Sequence, residues 1–155
     1  MHPLPRLGQK RPVFDARSGS NSFGDLPEWN LADLYPAHDA PEVARDLERA
    51  AQDAAAFEAR YKGKLAAMAE RSGAELAGAI REMEALDDLM GRLASFAGLF
   101  YAGDTTDPVR QKFYGDIQDK LTTATSGLIF FTLELNRIDD QVIDAACAAP
   151  ELAHY

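Results

Sequence analysis

The groups of this chain that could carry catalysis or hold a metal are three histidines, one cysteine and several adjacent carboxylates. The histidines are His2, His38 and His154, and none stands at metal-ligand spacing from another histidine or a cysteine. A zinc site needs three or four convergent ligands, so none is expected inside this chain. Cys147 lies on an apolar helical face with no histidine near it in sequence, which reads as a small buried hydrophobe rather than a nucleophile. The carboxylate pairs Glu82/Glu84, Asp87/Asp88 and Asp139/Asp140 fall mostly on polar faces, where solvation accounts for them. One Glu-x-x-His occurs, Glu151 to His154 at the end of the chain, whereas helical di-iron sites need two such pairs and two further glutamates. Ala102, Gly103 and Asp104 lack the flanking glycines and the preceding strand of a phosphate-cradling loop.

The densest cluster of oxygens is the corner Ala102–Pro108, where Asp104 and Asp107 flank Thr105 and Thr106. Such a corner could hold a cation, but helix capping explains the same residues more simply. Arg92 and Arg110 are the cations expected to pair with those acids, in a structural role. The residues themselves thus nominate no catalytic, cofactor-binding or metal-ligating position.

Two long apolar-periodic segments meet at this corner and would have to position it. Upstream, Ser72 and Glu75 have capping-box spacing. Leu76, Ile80, Met83, Leu86, Met90, Leu93, Ala97 and Phe100 then keep helical steps, predicting a continuous helix over Ala74–Ala102. Gly78, Gly91 and Gly98 interrupt its propensity but not its period, and Gly91, Ala94, Ala97 and Gly98 would admit a close neighbouring helix. Downstream, Asp107 suits the N-cap and Pro108 the first helical position. Val109, Phe113, Ile117, Leu121, Thr125, Leu128, Phe131 and Leu135 predict one helix reaching Asn136. Ile129, Phe130 and Phe131 widen its apolar surface near the end, predicting burial from several sides.

Before these lies a helix expected to begin near Asp39 or Ala40, with Pro41 suited to the first helical position, the stripe Val43, Leu47, Ala50, Ala54, Phe57 and Tyr61 and a stop at Gly63. A shorter apolar piece covers Lys64–Glu70, and a last helix covers Gln141–Ala149. Trp29, Leu31, Leu34 and Tyr35 form a short, proline-bracketed aromatic stretch. Docking on the following helices is its expected fate, an exposed recognition patch the other reading. No strand alternation is present, so the expected fold class is all-α, with antiparallel long helices in an up-and-down bundle or hairpin array.

Residues 1–24 are rich in proline, glycine and serine and carry four basic side chains against the single Asp15. They are expected to form a disordered or mobile tail, or to come from an over-extended start site, with a basic targeting arm as the alternative. The remainder, 25–155, is long enough for one domain with a core. The chain has 16 basic and 25 acidic residues and a net charge of −9. That balance repels phosphate backbones and argues against nucleic acid as a partner. No apolar run approaches the length of a membrane span, no secretory signal is present, and one cysteine fits a reducing compartment. A cytoplasmic protein without a membrane partner is the expectation.

Four stretches, in order, resemble the oligoendopeptidase F family, relatives of thimet oligopeptidase. Trp29, Leu31, Leu34, Tyr35 and Pro36, preceded by Leu26, are similar to the family's Trp-x-Leu-x-x-Leu-Tyr-Pro opening. Phe57, Tyr61, Gly63, Lys64 and Leu65 match its Phe-x-x-x-Tyr-x-Gly-Lys-Leu segment. Leu93–Pro108 resembles its helix–corner–helix, and Phe130–Asp140 the element after it, so the resemblance spans about residues 26–148. What it implies is the N-terminal helical domain of a cytoplasmic zinc metallopeptidase, walling a cleft in which short peptides are hydrolysed. In that family zinc is held by an H-E-x-x-H helix and a further glutamate, the motif glutamate activating the attacking water. This sequence contains no H-E-x-x-H. No catalytic residue carries over; zinc and the catalytic domain are implied only for a longer protein, and this chain alone is expected to be inactive. A stand-alone helical interaction or oligomerisation module is the other reading.

Overall fold

The computed structural model describes residues 29–155. The expected tail 1–24, together with His2 and Leu26, lies outside them. The described chain folds into six α-helices and one short 3-10 turn, with no strand among the described residues. The class is all-α, as the periodicity implies.

Helix α1 spans Pro41–Tyr61 and starts at the proline, whose missing N–H costs nothing in a first turn. Val43, Ala50, Ala54, Phe57 and Tyr61 form its buried stripe, while Leu47 is only half-buried. Gly63 then reverses the chain at φ +77°, a conformation that costs other residues about 1–2 kcal/mol. Lys64 Nζ donates to the Arg60 carbonyl at 2.6 Å, occupying an acceptor that the end of α1 leaves open.

Helix α2 (Leu65–Arg71) and helix α3 (Gly73–Gly103) are separated by Ser72 alone. Ser72 is the N-cap of α3, yet its side chain makes no capping bond, so the expected capping box does not form. Glu75 instead accepts from Arg71 at 2.6 Å, an i,i+4 ion pair at the surface. Gly73 is required here, because a Cβ would collide with the Ala146 carbonyl and lie 2.6 Å from the Ala149 Cβ.

Helix α3 runs unbroken for 31 residues, about 46 Å at about 1.5 Å per residue. Its core residues include Leu76, Leu86, Met90, Leu93, Phe96 and Ala97. The close helix approach expected at Gly91 and Gly98 is not there: a Cβ at either would meet nothing within 4 Å.

Helix α4 (Pro108–Ser126) stops short of the expected Asn136, and a separate helix α5 (Ile129–Leu135) follows. Hydroxyls near the break turn back onto the backbone. Thr123 Oγ1 donates to the Asp119 carbonyl at 2.9 Å, Thr125 Oγ1 to Leu121 at 2.9 Å, and Ser126 Oγ to Thr123 at 2.8 Å. Three such contacts followed by Gly127 weaken the last turn enough for tertiary packing to decide its end. The bend buries Phe130 and Phe131 while leaving Ile129 59% exposed, so the expected burial of that end on several sides is only partly realised.

Helix α6 (Asp140–Cys147) and the turn Pro150–Leu152 close the chain. Asp139 caps α6 by accepting from the Gln141 amide at 2.9 Å.

Contacts run in opposite senses along α1 and α3, since Asp46 meets Arg92 whereas Arg60 meets Glu82. Two aromatic clusters fasten the array. Near the corner, Phe96 and Phe100 pack edge-on to Phe113 at 5.9 and 5.6 Å, and Tyr101 stacks on Tyr114 at 5.0 Å. At the other end, Phe57 meets Tyr61, Phe130 and Phe131 at 4.7, 6.0 and 5.4 Å.

Candidate functional site

Asp104 and Asp107 act as caps. Asp104 Oδ1 accepts from the Thr106 amide at 2.9 Å and from Thr106 Oγ1 at 2.7 Å. Those bonds from Thr106 are what hold the Asp104 carboxyl below its ordinary range. Asp107 Oδ1 accepts from the Val109 amide at 2.7 Å, ending the first turn of α4. Arg110 lies 3.7 Å from Asp107, as expected, and also donates to the Phe100 carbonyl at 2.7 Å with its guanidinium 4.6 Å above that ring. Arg92 goes elsewhere.

Arg92 reaches Asp46, the single buried charged side chain among the described residues, at 3% exposure. Arg92 Nη2 donates to Asp46 Oδ2 at 2.6 Å, Tyr35 Oη to the same oxygen at 3.0 Å, and Arg45 Nε to Oδ1 at 3.0 Å. Burial pushes the Asp46 carboxyl up, but the hydrogen bonds from Arg45 and Tyr35 and the two guanidinium charges outweigh it, leaving the group below its ordinary value. Burial raises the Tyr35 hydroxyl, and its bond to Asp46 raises it further.

Asp46 is not among the residues the sequence nominated, and Arg92 and Tyr35 were singled out for other roles. A signal was present: Asp46 sits three residues after Val43 and four before Ala50, on the buried stripe of α1. A carboxylate at a stripe position must be paired to be tolerated.

Beside this cluster lies a cleft of about 790 Å³. Residues 29–38 form one wall, and Phe96, Leu99, Phe100 and Gly103 of α3 with Arg110 of α4 form the other. His38 stacks on Phe100 at 5.0 Å and meets Phe113 edge-on at 5.8 Å. Of the aromatic stretch, Tyr35 is buried at 3% exposure while Trp29 stands 74% exposed at the lip of the cleft. The expected docking therefore holds for Tyr35 and not for Trp29: the chain turns at Leu31–Tyr35, and Trp29 precedes that turn.

The remaining nominated groups stay apart. Cys147 is exposed rather than buried, because α6 is only 8 residues long and turns Ala146, not Cys147, to the core. Glu82 pairs with Arg60 at 2.8 Å, and Glu84 accepts from the Tyr155 hydroxyl at 2.7 Å. His154 lies against the Tyr155 ring at 4.1 Å. Among the described residues no three His, Cys, Asp or Glu side chains converge as metal ligands. The described residues therefore assemble no site for the zinc that the family resemblance implies for a longer protein. No helix is long and apolar enough to cross a membrane among the described residues. The cleft can enclose an apolar or aromatic group beside a guanidinium; nothing in it supplies a nucleophile with an adjacent base. Comparison with protein-family models, curated proteins and solved structures finds no match for this chain.

Proposed function

We propose that this chain is the N-terminal helical region of an oligoendopeptidase F-like zinc metallopeptidase acting on short peptides in the cytoplasm. In that reading it contributes a wall of the substrate cleft, and the catalytic domain brings the zinc and its ligands. The supporting observation is that the four stretches carrying the resemblance are one another's packing partners. Tyr35 of the first meets Phe96 of the third at 5.2 Å. Phe57 of the second meets Phe130 and Phe131 of the fourth, and the Gly63 amide donates to Glu134 Oε1 at 2.7 Å. Residues 71 positions apart thus secure a turn that needs glycine, so the matching residues act together in the fold.

Two measurements test the reading. Sequencing the genomic reading frame beyond Tyr155 should find an in-frame H-E-x-x-H; a stop with no such motif downstream would sink it. Quenched-fluorescent peptides incubated with this chain and zinc should show no turnover, and zinc-dependent turnover would show that catalysis resides here after all. The stand-alone interaction module is favoured by one observation, the exposure of Ile129 and Leu133 at 59% and 50% one turn apart on α5. A stable oligomer of defined size in light scattering, with no peptidase continuation, would support it.

A further inference from the structure

Residues 29–40 cross the ends of α1, α3 and α4 as a strap with no regular helix of its own. The backbone bonds of its first eight residues stay within it: the Leu34 and Tyr35 amides both donate to the Leu31 carbonyl, at 2.9 and 3.1 Å. Among the described residues, the bond from Tyr35 Oη to Asp46 is the single hydrogen bond joining residues 29–36 to any later element. Everything else holding the strap is side-chain packing: Tyr35 on Phe96, His38 on Phe100, and the Arg92 guanidinium 5.1 Å above the Tyr35 ring. Asp46, by contrast, is also held by Arg45 and Arg92, neither of which belongs to the strap.

From this geometry we infer that the strap is a lid on the aromatic cleft, latched through Tyr35 to the Asp46–Arg92 pair, which opens as a unit while the helices stay folded. Residues of the strap line one side of the cleft, so opening uncovers Phe96, Leu99 and Phe100 on α3. The latch belongs on a locally unfolding segment: residues 29–36 make no backbone bond to the helices and are tied to them by the one hydrogen bond from Tyr35. The inference is independent of the peptidase reading.

Native-state proteolysis of the full chain tests it. Thermolysin cuts before bulky apolar residues only where the chain is locally open, so cutting before Leu31 and Leu34, followed by mass spectrometry, reports the lid. Tyr35→Phe keeps the ring and removes the latch hydroxyl. It is expected to speed those two cuts about fivefold, as the loss of one net hydrogen bond implies, with cutting inside α1 and α3 unchanged. Asp46→Asn is expected to speed the same cuts at least as much. In Tyr35→Phe, unchanged cutting before Leu31 and Leu34, or an equal acceleration within α1 and α3, overturns the inference. Should Asp46→Asn not fold, Tyr35→Phe alone decides.

Discussion

Asp46 is where single-residue chemistry matters most in this chain. Its carboxylate is buried, accepts three hydrogen bonds and faces two guanidinium groups that are themselves half-exposed, with side-chain exposures of 66% for Arg45 and 44% for Arg92. Because the arginines can turn to water, Asp46→Asn is expected to cost about 1–3 kcal/mol, below the full penalty of breaking a wholly buried pair. Urea denaturation should show it as a lower midpoint at unchanged slope. The pH dependence follows from the same contacts. The folded-state carboxyl lies below the ordinary 3.8, so its contribution is fully present above that value and is lost as pH falls through the lowered one. The variant should lose less stability than the wild type over that acidic range, read from urea midpoints at stepped pH. Cys147 offers an independent check on the surface. Being exposed, it should react with one equivalent of Ellman's reagent in the absence of denaturant, whereas a core thiol would wait for unfolding.

At the scale of elements, glycines separate positions set by close contact from positions that are merely tolerated. Gly78, Gly91 and Gly98 in α3 have open space where a Cβ would stand. Replacing each by alanine should stabilise the chain by up to about 1 kcal/mol, seen as a higher thermal midpoint. Gly73→Ala should do the opposite, because its Cβ would meet the Ala146 carbonyl and Ala149. Both results come from circular-dichroism melts of the same set of variants. Helix positions were legible in the sequence because stripe and cap agree: Pro41 with Val43–Tyr61, and Asp107–Pro108 with Ile117 and Leu121. The break at Gly127 was not, because the apolar period continues through it from Leu121 to Leu128 and Phe131. Local hydroxyl back-bonding, combined with the pull of Phe130 and Phe131 onto Phe57, decides that break, and period alone carries neither.

For the molecule as a whole, the aromatic residues lie at two ends of the helical array, and each end also leaves apolar side chains uncovered. Trp29 and Val109 are 74% and 53% exposed near the corner, and Ile129 and Leu133 are 59% and 50% exposed on α5. Isolated exposed apolar side chains contribute little to folding stability but promote association. The double substitution Ile129→Lys with Leu133→Lys is therefore expected to change stability by no more than about 0.5 kcal/mol, while lowering self-association in light scattering. A large loss of stability would show instead that this face belongs to the core.

By itself the sequence determined the helical class, five of the helix starts to within one residue, the cap at Asp107 and the stop at Gly63. Each depends on residues within one or two turns of one another, where spacing and backbone preference act directly. It also placed no catalytic group, since neither the histidines nor the cysteine stand at a working spacing. Only the tertiary structure decided that Arg92 serves Asp46 rather than the corner, that Ser72 does not close a capping box, and that Tyr35 is anchored while Trp29 is free. Those outcomes join residues as far apart as 46 positions. Which of several competing partners a charged or aromatic side chain takes is set by the distances the folded chain brings about, and a linear pattern does not contain them.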